Sequence, residues 1–188
     1  MNYQILIDKE RGLDSSYIPP NLIEINSKYK PSIKLEQETY HNWLQLKEEV
    51  LNKGYNIDIE SGYRSYEYQA TVLRELIALK GEDYASMAVA QPGHSEHQTG
   101  LAIDYCIIRN SNIVIENDID KCEECIFTNS IAHQYGFIVR YPDGKQAITG
   151  YKYEPWHLRY VGMALATYLY VNKITLDEYY KEEHDAKN

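Results

Sequence analysis

Two short segments, GHSEHQTGLAID and EPWH, contain histidines and carboxylates at spacings that could bind and use a metal ion. His97 and Asp104 lie in the first segment, and Glu154 and His157 lie in the second. Two imidazoles and one carboxylate suit a catalytic zinc, which keeps a fourth position open for water. A further carboxylate close to the last ligand can take a proton from that water. The residues therefore predict a hydrolytic site for one zinc ion, with His97, Asp104 and His157 as ligands and Glu154 as general base.

The surroundings of the three predicted ligands favour coordination. His97 lies in a polar loop flanked by glycines, and His157 stands at the start of a predicted strand. Asp104 interrupts an apolar run, where a carboxylate must be paired or coordinated because burial of an isolated charge is costly. Each signal alone also fits a hydrogen-bonded structural residue, and the residues by themselves leave that alternative open.

Glu154 requires a distortion of its strand if it is to act at the same metal as His157. Residues three apart in an ideal strand face opposite sides, so a kink at Pro155 must bring both side chains to the ion. The alternative is a surface glutamate in a turn.

The segment SGYRS, from Ser61 to Ser65, joins a predicted strand to a predicted helix. A guanidinium held there, that of Arg64, could stabilise the negative oxygen that develops when water attacks a carbonyl. The N-terminus of the helix adds a partial positive charge. A solvent-facing arginine in a turn is the alternative.

The other histidines and the cysteines give weaker signals. His94 competes with His97, but its place after Pro92-Gly93 predicts a loop residue at the rim of a cleft. Surface positions are expected for the other three, which are His41, His133 and His184. An odd number of cysteines fits a reducing compartment, and the C-x-x-C spacing has no second pair to complete a zinc site; inert thiols are expected for Cys106, Cys122 and Cys125.

Composition limits the classes of partner. A formal net charge of −9 argues against a nucleic-acid or anionic-membrane surface, although converging arginines could still hold an anionic small substrate. The N-terminus has no positive leader followed by an apolar stretch, and no run approaches the roughly 18 apolar residues of a membrane span. A cytoplasmic protein without a membrane partner is therefore expected.

Hydrophobic periodicity and turn residues place the elements. Prolines make residues 1–34 irregular in this prediction. Helices are predicted over 36–53, 65–80, 83–89 and 123–135 and as a pair within 162–188; strands are predicted over 55–60, 101–108, 137–141 and 156–161. This mixture, without regular βαβ alternation, predicts one small α+β domain over 1–188, with a mostly antiparallel sheet flanked by helices.

Several side chains are assigned to faces or caps by these patterns. Asp58 should point outward from its strand, Ser65 should cap the second helix, and Thr175 with Glu178 forms a capping-box pattern. The predicted core face of the first helix consists of Tyr40, Trp43, Leu44, Val50 and Leu51, and that of the second of Tyr68, Val72, Leu76 and Leu79.

Three segments together resemble the zinc D,D-peptidases of the lysostaphin, D-Ala-D-Ala carboxypeptidase and hedgehog-type group. The pattern S-G-Y-R-S-x-x-x-Q runs from Ser61 to Gln69, and S-x-H-x-x-G-x-A-x-D runs from Ser95 to Asp104. The pattern E-x-W-H ends at His157, and the sequence around it is most similar to the VanXY and VanY enzymes of vancomycin resistance. The similar segments extend over more than half of the chain, in the order found in the family.

The resemblance implies a role for each matching position. It implies that His97, Asp104 and His157 bind zinc, that Glu154 is the general base and that Arg64 polarises the scissile carbonyl. It also implies that the terminal D-alanine carboxylate is held with the help of Gln69 and Ser95, and that the cleft is walled by Trp156. Ser61 stands where the family's dedicated dipeptidases have aspartate, which favours removal of the terminal D-Ala from a pentapeptide precursor over cleavage of the D-Ala-D-Ala dipeptide.

Two alternatives to a peptidase are weighed against this expectation. Two histidines and one carboxylate also bind Fe(II) in oxygenases, but those sites favour β-rich barrels rather than a chain with substantial helices. A non-catalytic zinc-binding module of the hedgehog type is the second alternative. The combined presence of Glu154 and Arg64 favours chemistry over that module.

Overall fold

The computed structural model describes residues 1–28, 31–110, 112–114 and 119–185, and the side chains of 113, 114 and 183–185 are not described. Within this part the chain forms a small α+β domain. The strands are β1 (Leu22–Ile25), β2 (Ile33–Glu36), β3 (Ile57–Ser61), β4 (Ala102–Arg109), β5 (Asn112–Val114), β6 (Phe137–Tyr141) and β7 (Glu154–Tyr160). The helices are α1 (Gln37–Asn52), α2 (Tyr66–Lys80), α3 (Glu82–Ala88), α4 (Glu123–Ile131), α5 (Gln146–Thr149), α6 (Met163–Asn172) and α7 (Leu176–Asp185).

An antiparallel sheet in the order β3-β4-β7-β6 forms the centre of the domain, and β5 pairs with the far end of β4. Alternation along β4 explains its composition. Ile103, Tyr105 and Ile107 belong to the main hydrophobic core, which they share with residues of α1 such as Trp43 and Leu46. Asp104 lies between them in sequence and therefore on the opposite face of the sheet. The apolar run predicted as a strand thus places its one carboxylate on the face away from the core.

The N-terminal region differs from its prediction. Residues 22–25 and 33–36 pair as an antiparallel two-stranded sheet, so the expected irregular segment contains two strands. A residue near the other end of the chain holds the first residues in place. The guanidinium of Arg159 donates to the carbonyl oxygens of Tyr3 and Ile5 at 3.1 and 2.7 Å. Proline indicated turns correctly here, but the partners that order the segment lie more than 150 residues away.

Most helices lie close to where they were predicted, but the residues that they bury differ from the predicted core faces. Ser65 accepts a hydrogen bond from the Tyr68 amide at the start of α2, and the Thr175–Glu178 capping box is present at the start of α7. The predicted helix 123–135 ends as α-helix at Ile131 and continues as a 3₁₀ turn. On α1, Leu46 is buried while two predicted core residues, Leu44 and Leu51, are exposed.

Two more predicted orientations are wrong. Asp58 is buried rather than outward, where its carboxylate accepts from the ammonium of Lys47 and the backbone amide of Lys28, both at 2.8 Å. On α2 the buried residues are Gln69 and Leu73, and the predicted core face does not enter the core. None of the helices in the described ranges is both long and apolar enough to cross a membrane.

Candidate active site

Three neighbouring strands bring the central carboxylate next to two other predicted site residues. Asp104 on β4 is the register partner of Ser61 on β3 and of His157 on β7. Both flanking strands are irregular beside it: the β3–β4 register shifts between Ile59 and Ser61, and the β6–β7 register shifts opposite residues 154–158. The second irregularity agrees with the kink predicted at Pro155, and both Glu154 and His157 line the same cavity. Bulges of this kind re-aim side chains beside active sites.

His97 is presented by a buried 3₁₀ turn, Glu96–Thr99, which ends at Gly100 in a left-handed conformation (φ 71°). Its Nδ1 donates to the carbonyl oxygen of Gly62 at 2.6 Å, so Nε2 carries the lone pair. Gly62 cannot be replaced easily, because a Cβ there would lie 2.5 Å from the carbonyl oxygen of Lys34. The close packing of the SGYRS segment therefore fixes the tautomer of His97.

The two histidines converge on opposite oxygens of the Asp104 carboxylate. His97 Nε2 lies 3.0 Å from Oδ2, and His157 Nδ1 lies 2.8 Å from Oδ1. One ligand atom from each of these residues lies within 4.8 Å of the others. His97 Nε2 is buried and has no hydrogen-bond partner among the described residues. A buried, unpaired imidazole nitrogen aimed at a carboxylate and a second imidazole is a donor set that fits zinc.

The pKa values of the two histidines shift in opposite directions, although burial by itself lowers both. Burial, followed by the positive charge of Arg64, lowers the pKa of His97 to about 4. Burial would also lower the pKa of His157, but the hydrogen bonds to Asp104 and Glu96 outweigh it and raise that pKa to about 9. Burial would raise the pKa of Asp104, but His97 and His157 hold it well below its usual range. At neutral pH the carboxylate of Asp104 is ionised and His97 is neutral, the protonation states that metal binding requires.

Glu96 is a site residue that the sequence analysis missed. It is fully enclosed, its Oε2 lies 3.4 Å from His157 Nε2, and its Oε1 accepts from Arg140 Nε at 2.8 Å and from an Arg159 guanidinium nitrogen at 2.6 Å. Arg140 also pairs with Asp177 at the start of α7. The arginines keep the Glu96 carboxylate ionised, with its pKa well below the ordinary value against the effect of burial. A carboxylate behind a ligating histidine orients the ring and leaves its other nitrogen for the metal.

Arg64 lies beside the predicted metal ligands. Its guanidinium donates to Asp104 Oδ2 at 2.8 Å, to Ser61 Oγ at 3.2 Å and to Gln69 Oε1 at 3.3 Å. Gln69 is itself buried and donates to the carbonyl oxygen of Ala90 at 2.9 Å. These contacts exclude the alternative of a solvent-facing arginine in a turn, because they hold the charge of Arg64 beside Asp104.

All the predicted site residues line one cavity of about 670 Å³. It contains the predicted ligands His97, Asp104 and His157, and its further predicted residues are Ser61, Arg64, Gln69, Ser95, Glu154 and Trp156. The volume is within the usual range of small-molecule sites. Sequence segments separated by up to 96 positions thus meet around one cleft.

The competing histidines and the cysteines lie elsewhere. The Nδ1 atom of His94 lies 2.8 Å from the carbonyl oxygen of Asp8, which pairs it with the N-terminal segment rather than with the ligands. His41 is exposed on α1, the ring of His133 stacks on that of Tyr170, and the side chain of His184 is outside the described residues. Burial raises the pKa of Cys106 to about 12 and that of Cys125 to about 11, so neither favours the thiolate.

Most of the chain, including the segments that form the cavity, matches the sequence model of a known protein family. The sequence model of the VanY family, described as D-alanyl-D-alanine carboxypeptidase, matches residues 32–163. VanXYC of Enterococcus gallinarum, a bifunctional D-Ala-D-Ala dipeptidase and D-Ala-D-Ala carboxypeptidase, is 35% identical over 184 residues. That alignment covers 96% of this chain and 94% of VanXYC.

Solved structures reproduce the same fold. The LdcB LD-carboxypeptidase superimposes with a TM-score of 0.86 at 36% identity, covering 94% of this chain and 84% of LdcB. A mutant of the D,D-pentapeptidase VanY from a VanB-type vancomycin-resistance cassette, solved in complex with Zn(II), gives a TM-score of 0.82 at 29% identity. The match covers 95% of this chain and 99% of that VanY.

Proposed function

Because the chain belongs to the VanY family of D-alanyl-D-alanine carboxypeptidases, we propose that it is a zinc-dependent peptidase that removes the terminal D-alanine from peptides. The observation that carries this proposal is the convergence of His97, Asp104 and His157 in the cavity that also contains Glu154 and Arg64. Family membership makes the chain a peptidase and argues against the Fe(II)-oxygenase alternative. The zinc, the residue roles and the substrate are the parts we propose.

Zinc is the metal that this donor set and a Zn(II)-containing relative support. His97 Nε2, a carboxylate oxygen of Asp104 and His157 Nδ1 would hold it. When bound, zinc supplies Lewis-acid polarisation of a carbonyl and makes water more acidic. The protein's own contribution is to keep these ligands in the correct tautomers, through Gly62 for His97 and Glu96 for His157.

Glu154 and Arg64 carry out the steps that belong to the protein. Glu154 takes a proton from the attacking water and later gives it to the amine of the departing D-alanine. Arg64 stabilises the negative charge that develops on the scissile carbonyl oxygen. Its guanidinium is pre-positioned by Ser61 and Gln69, so little reorganisation is needed when that charge appears.

The end of the substrate lies, in this proposal, near Ser95, Gln69 and Arg64. The Ser95 side chain is buried and lines the cavity, and a hydroxyl there can donate to a carboxylate. Trp156 also lines the cavity. Peptides ending in D-Ala-D-Ala are the proposed substrates, with the pentapeptide preferred to the free dipeptide, as Ser61 suggests. Action in the cytoplasm stays a prediction from the sequence.

A second candidate activity is L,D-carboxypeptidase action, in which the residue before the terminal D-alanine has the L configuration. The similarity to the LdcB LD-carboxypeptidase, at 36% identity, specifically favours it. Both activities would use the same ligands and the same general base, so they differ only in how the penultimate residue is accommodated.

D-alanine release from matched peptides tests the proposal. We expect the zinc-loaded protein to release D-alanine from a pentapeptide ending in D-Ala-D-Ala, and a Glu154→Ala variant to retain zinc while its turnover falls about 10²- to 10⁴-fold. Release only from a tetrapeptide ending in an L-residue and D-Ala would establish the second candidate instead. Zinc binding without release from either peptide would indicate the non-catalytic module.

A further inference from the structure

The segment that presents Glu154 and His157 lines the cavity at every residue but one. Of the residues from 151 to 157, all of which the structure describes, only Pro155 is not part of the cavity lining, and it is buried. Side chains alternate between the two faces of a regular strand, so Glu154, Trp156 and His157 can share a cavity only if the backbone departs from strand geometry near Pro155. The path of the chain at this kink therefore decides where the Glu154 carboxylate points.

The pairing of β7 with its neighbouring strands does not extend to Pro155. Its register with β4 ends at His157, and its register with β6 passes from Leu158 directly to Glu154. Proline has no amide hydrogen, so this residue offers the sheet only a carbonyl oxygen. A buried carbonyl oxygen is costly to leave without a donor. The kink therefore requires a donor from outside the sheet.

A side chain of α4 supplies that donor. Asn129 Nδ2 donates to the carbonyl oxygen of Pro155 at 3.0 Å. At its other end, Asn129 Oδ1 accepts from the hydroxyl of Tyr105 at 3.1 Å, and that hydroxyl also lies 3.1 Å from Cys125 Sγ. Tyr105 is fully buried in the main core. Because a carbonyl oxygen can only accept, these contacts fix which end of the Asn129 amide faces the kink.

We propose that Asn129 is a positioning residue for the general base, which holds the Pro155 carbonyl and thereby directs the Glu154 carboxylate toward the predicted metal ligands. This inference rests on the proposed function and adds a residue to it. Asn129, which belongs to the described part of the chain, is not among the residues that line the cavity. It therefore acts through the backbone of the kink and not by contact with the substrate.

The predicted ligand next to the kink has supports of its own. His157 is paired with Asp104 in the β4–β7 ladder, and its ring lies between Asp104 Oδ1 at 2.8 Å and Glu96 Oε2 at 3.4 Å. Glu154 lies on the other side of the kink, beyond the end of that ladder. Loss of the Asn129 contact should therefore displace Glu154 more than His157. The expected signature is a loss of turnover while zinc affinity is kept.

Kinetics and zinc binding of Asn129→Ala provide the test. At saturating zinc, we expect kcat on a pentapeptide ending in D-Ala-D-Ala to fall about 10- to 100-fold, since a displacement of about 1 Å at a catalytic group has an effect of this size. The KM and the zinc affinity should stay within about threefold of their original values. Asn129→Asp keeps the size of the side chain but removes the donor, so it should show the same loss and serves if the alanine variant does not fold.

A double-mutant cycle with Glu154 separates positioning from a general effect on the fold. If Asn129 acts through Glu154, then adding Asn129→Ala to Glu154→Ala should change the residual turnover by less than about twofold. A further 10- to 100-fold fall in that background would overturn the inference. An unchanged kcat in both Asn129 variants, or a loss of zinc affinity as large as the loss of kcat, would also overturn it.

Asn42→Ala is the matched control. Asn42 is a buried asparagine on α1 that donates to the carbonyl oxygen of Glu38 at 2.9 Å and to the hydroxyl of Tyr160 at 3.1 Å. Within the described chain it is not a cavity residue. Its substitution should lower stability, because a buried amide is lost, yet leave kcat within about twofold. An equal fall of kcat in Asn42→Ala would show that Asn129 has no specific role.

Tryptophan fluorescence gives a readout that does not depend on turnover. The chain has two tryptophans; Trp156 directly follows Pro155, and Trp43 is 1% exposed, so acrylamide quenching of the zinc-loaded protein reports mainly on Trp156. Asn129→Ala should be quenched more strongly than the unsubstituted protein, and Asn42→Ala should not. Equal quenching in all three would contradict a displaced kink. Absence of D-alanine release by the unsubstituted protein would contradict the proposed function separately.

Discussion

Glu96 Oε2 lies 3.4 Å from Nε2 of His157, on the side of the imidazole ring away from Asp104. Two guanidinium groups hold the same carboxylate, so its position does not depend on the histidine. The ring is thereby oriented with Nδ1 toward Asp104, one of the other predicted ligands. The arginines also contact the carbonyl oxygens of Tyr3, Ile5 and Ile7, which connects the N-terminal segment to the metal site.

Substitution of Glu96 should weaken metal binding although Glu96 is not a ligand. We expect Glu96→Gln to lower zinc affinity about 10- to 100-fold, the usual effect of removing a carboxylate behind a ligating histidine. Competition with a chromophoric chelator measures the affinity. The variant should also unfold at lower denaturant concentration, because the buried arginines lose the negative charge that they share, and Arg140 keeps only its pairing with Asp177.

Glu124→Gln is the matched control for that experiment. Glu124 pairs with Arg109 at 2.6 Å, and Glu124 is not among the residues that line the cavity. Its substitution should leave zinc affinity unchanged. If Glu96→Gln and Glu124→Gln bind zinc as tightly as the unsubstituted protein does, Glu96 has no orienting role.

Zinc affinity should depend on pH through His157. Its pKa of about 9 in the metal-free protein means that Nδ1 carries a proton at pH 7.5, whereas His97, with a pKa of about 4, does not. The proton on His157 must leave before that nitrogen can bind zinc. The apparent affinity should therefore rise by up to about tenfold per pH unit from pH 7 to about pH 8.5.

Titration calorimetry in buffers of different ionisation enthalpy tests this directly. At pH 7.5 the observed binding enthalpy should change with the buffer, because at least one proton is released for each zinc bound. A binding enthalpy that is the same in all buffers at this pH, together with an affinity that does not change from pH 7 to pH 8.5, would contradict the assignment of His157.

Arg64 should contribute to turnover more than to metal binding. At saturating zinc, Arg64→Ala should lower kcat on a D-Ala-D-Ala pentapeptide about 10²- to 10³-fold, as for the loss of one oxyanion donor. Arg74→Ala, on the exposed side of the same helix, should leave kcat within about twofold. Equal kcat values for Arg64→Ala and the unsubstituted protein would remove Arg64 from the mechanism.

The sequence predicted the convergence of His97, Asp104 and His157 because the chemistry of these residues is unusual for their surroundings. A carboxylate in an apolar strand and a histidine in a polar loop both required an explanation, and coordination supplied one. Glu96 gave no such signal. It precedes His97 in a run of polar residues, and the arginines that bury its charge lie 44 and 63 positions further along the chain.

The error on α2 has a different physical cause. Its apolar residues have the spacing of a core face, and periodicity cannot distinguish a face that packs against a sheet from one that lines a cleft. Gln69, the predicted substrate contact on the same helix, is largely buried yet lines the cavity, and its side chain bonds to Arg64 and to the carbonyl oxygen of Ala90. Contacts between distant segments decide which residues are buried and where a cleft forms. A local sequence pattern carries no information about those contacts.

The proposed function depends on one zinc ion bound by His97, Asp104 and His157, and metal analysis of purified variants tests this binding most directly. The unsubstituted protein should bind one zinc per chain, and single alanine substitutions at these three positions should each reduce bound zinc to a small fraction after dialysis. His94→Ala, which changes a histidine three positions from His97, should retain full occupancy. Full zinc occupancy in all three ligand variants would contradict the metal site and the peptidase mechanism built on it.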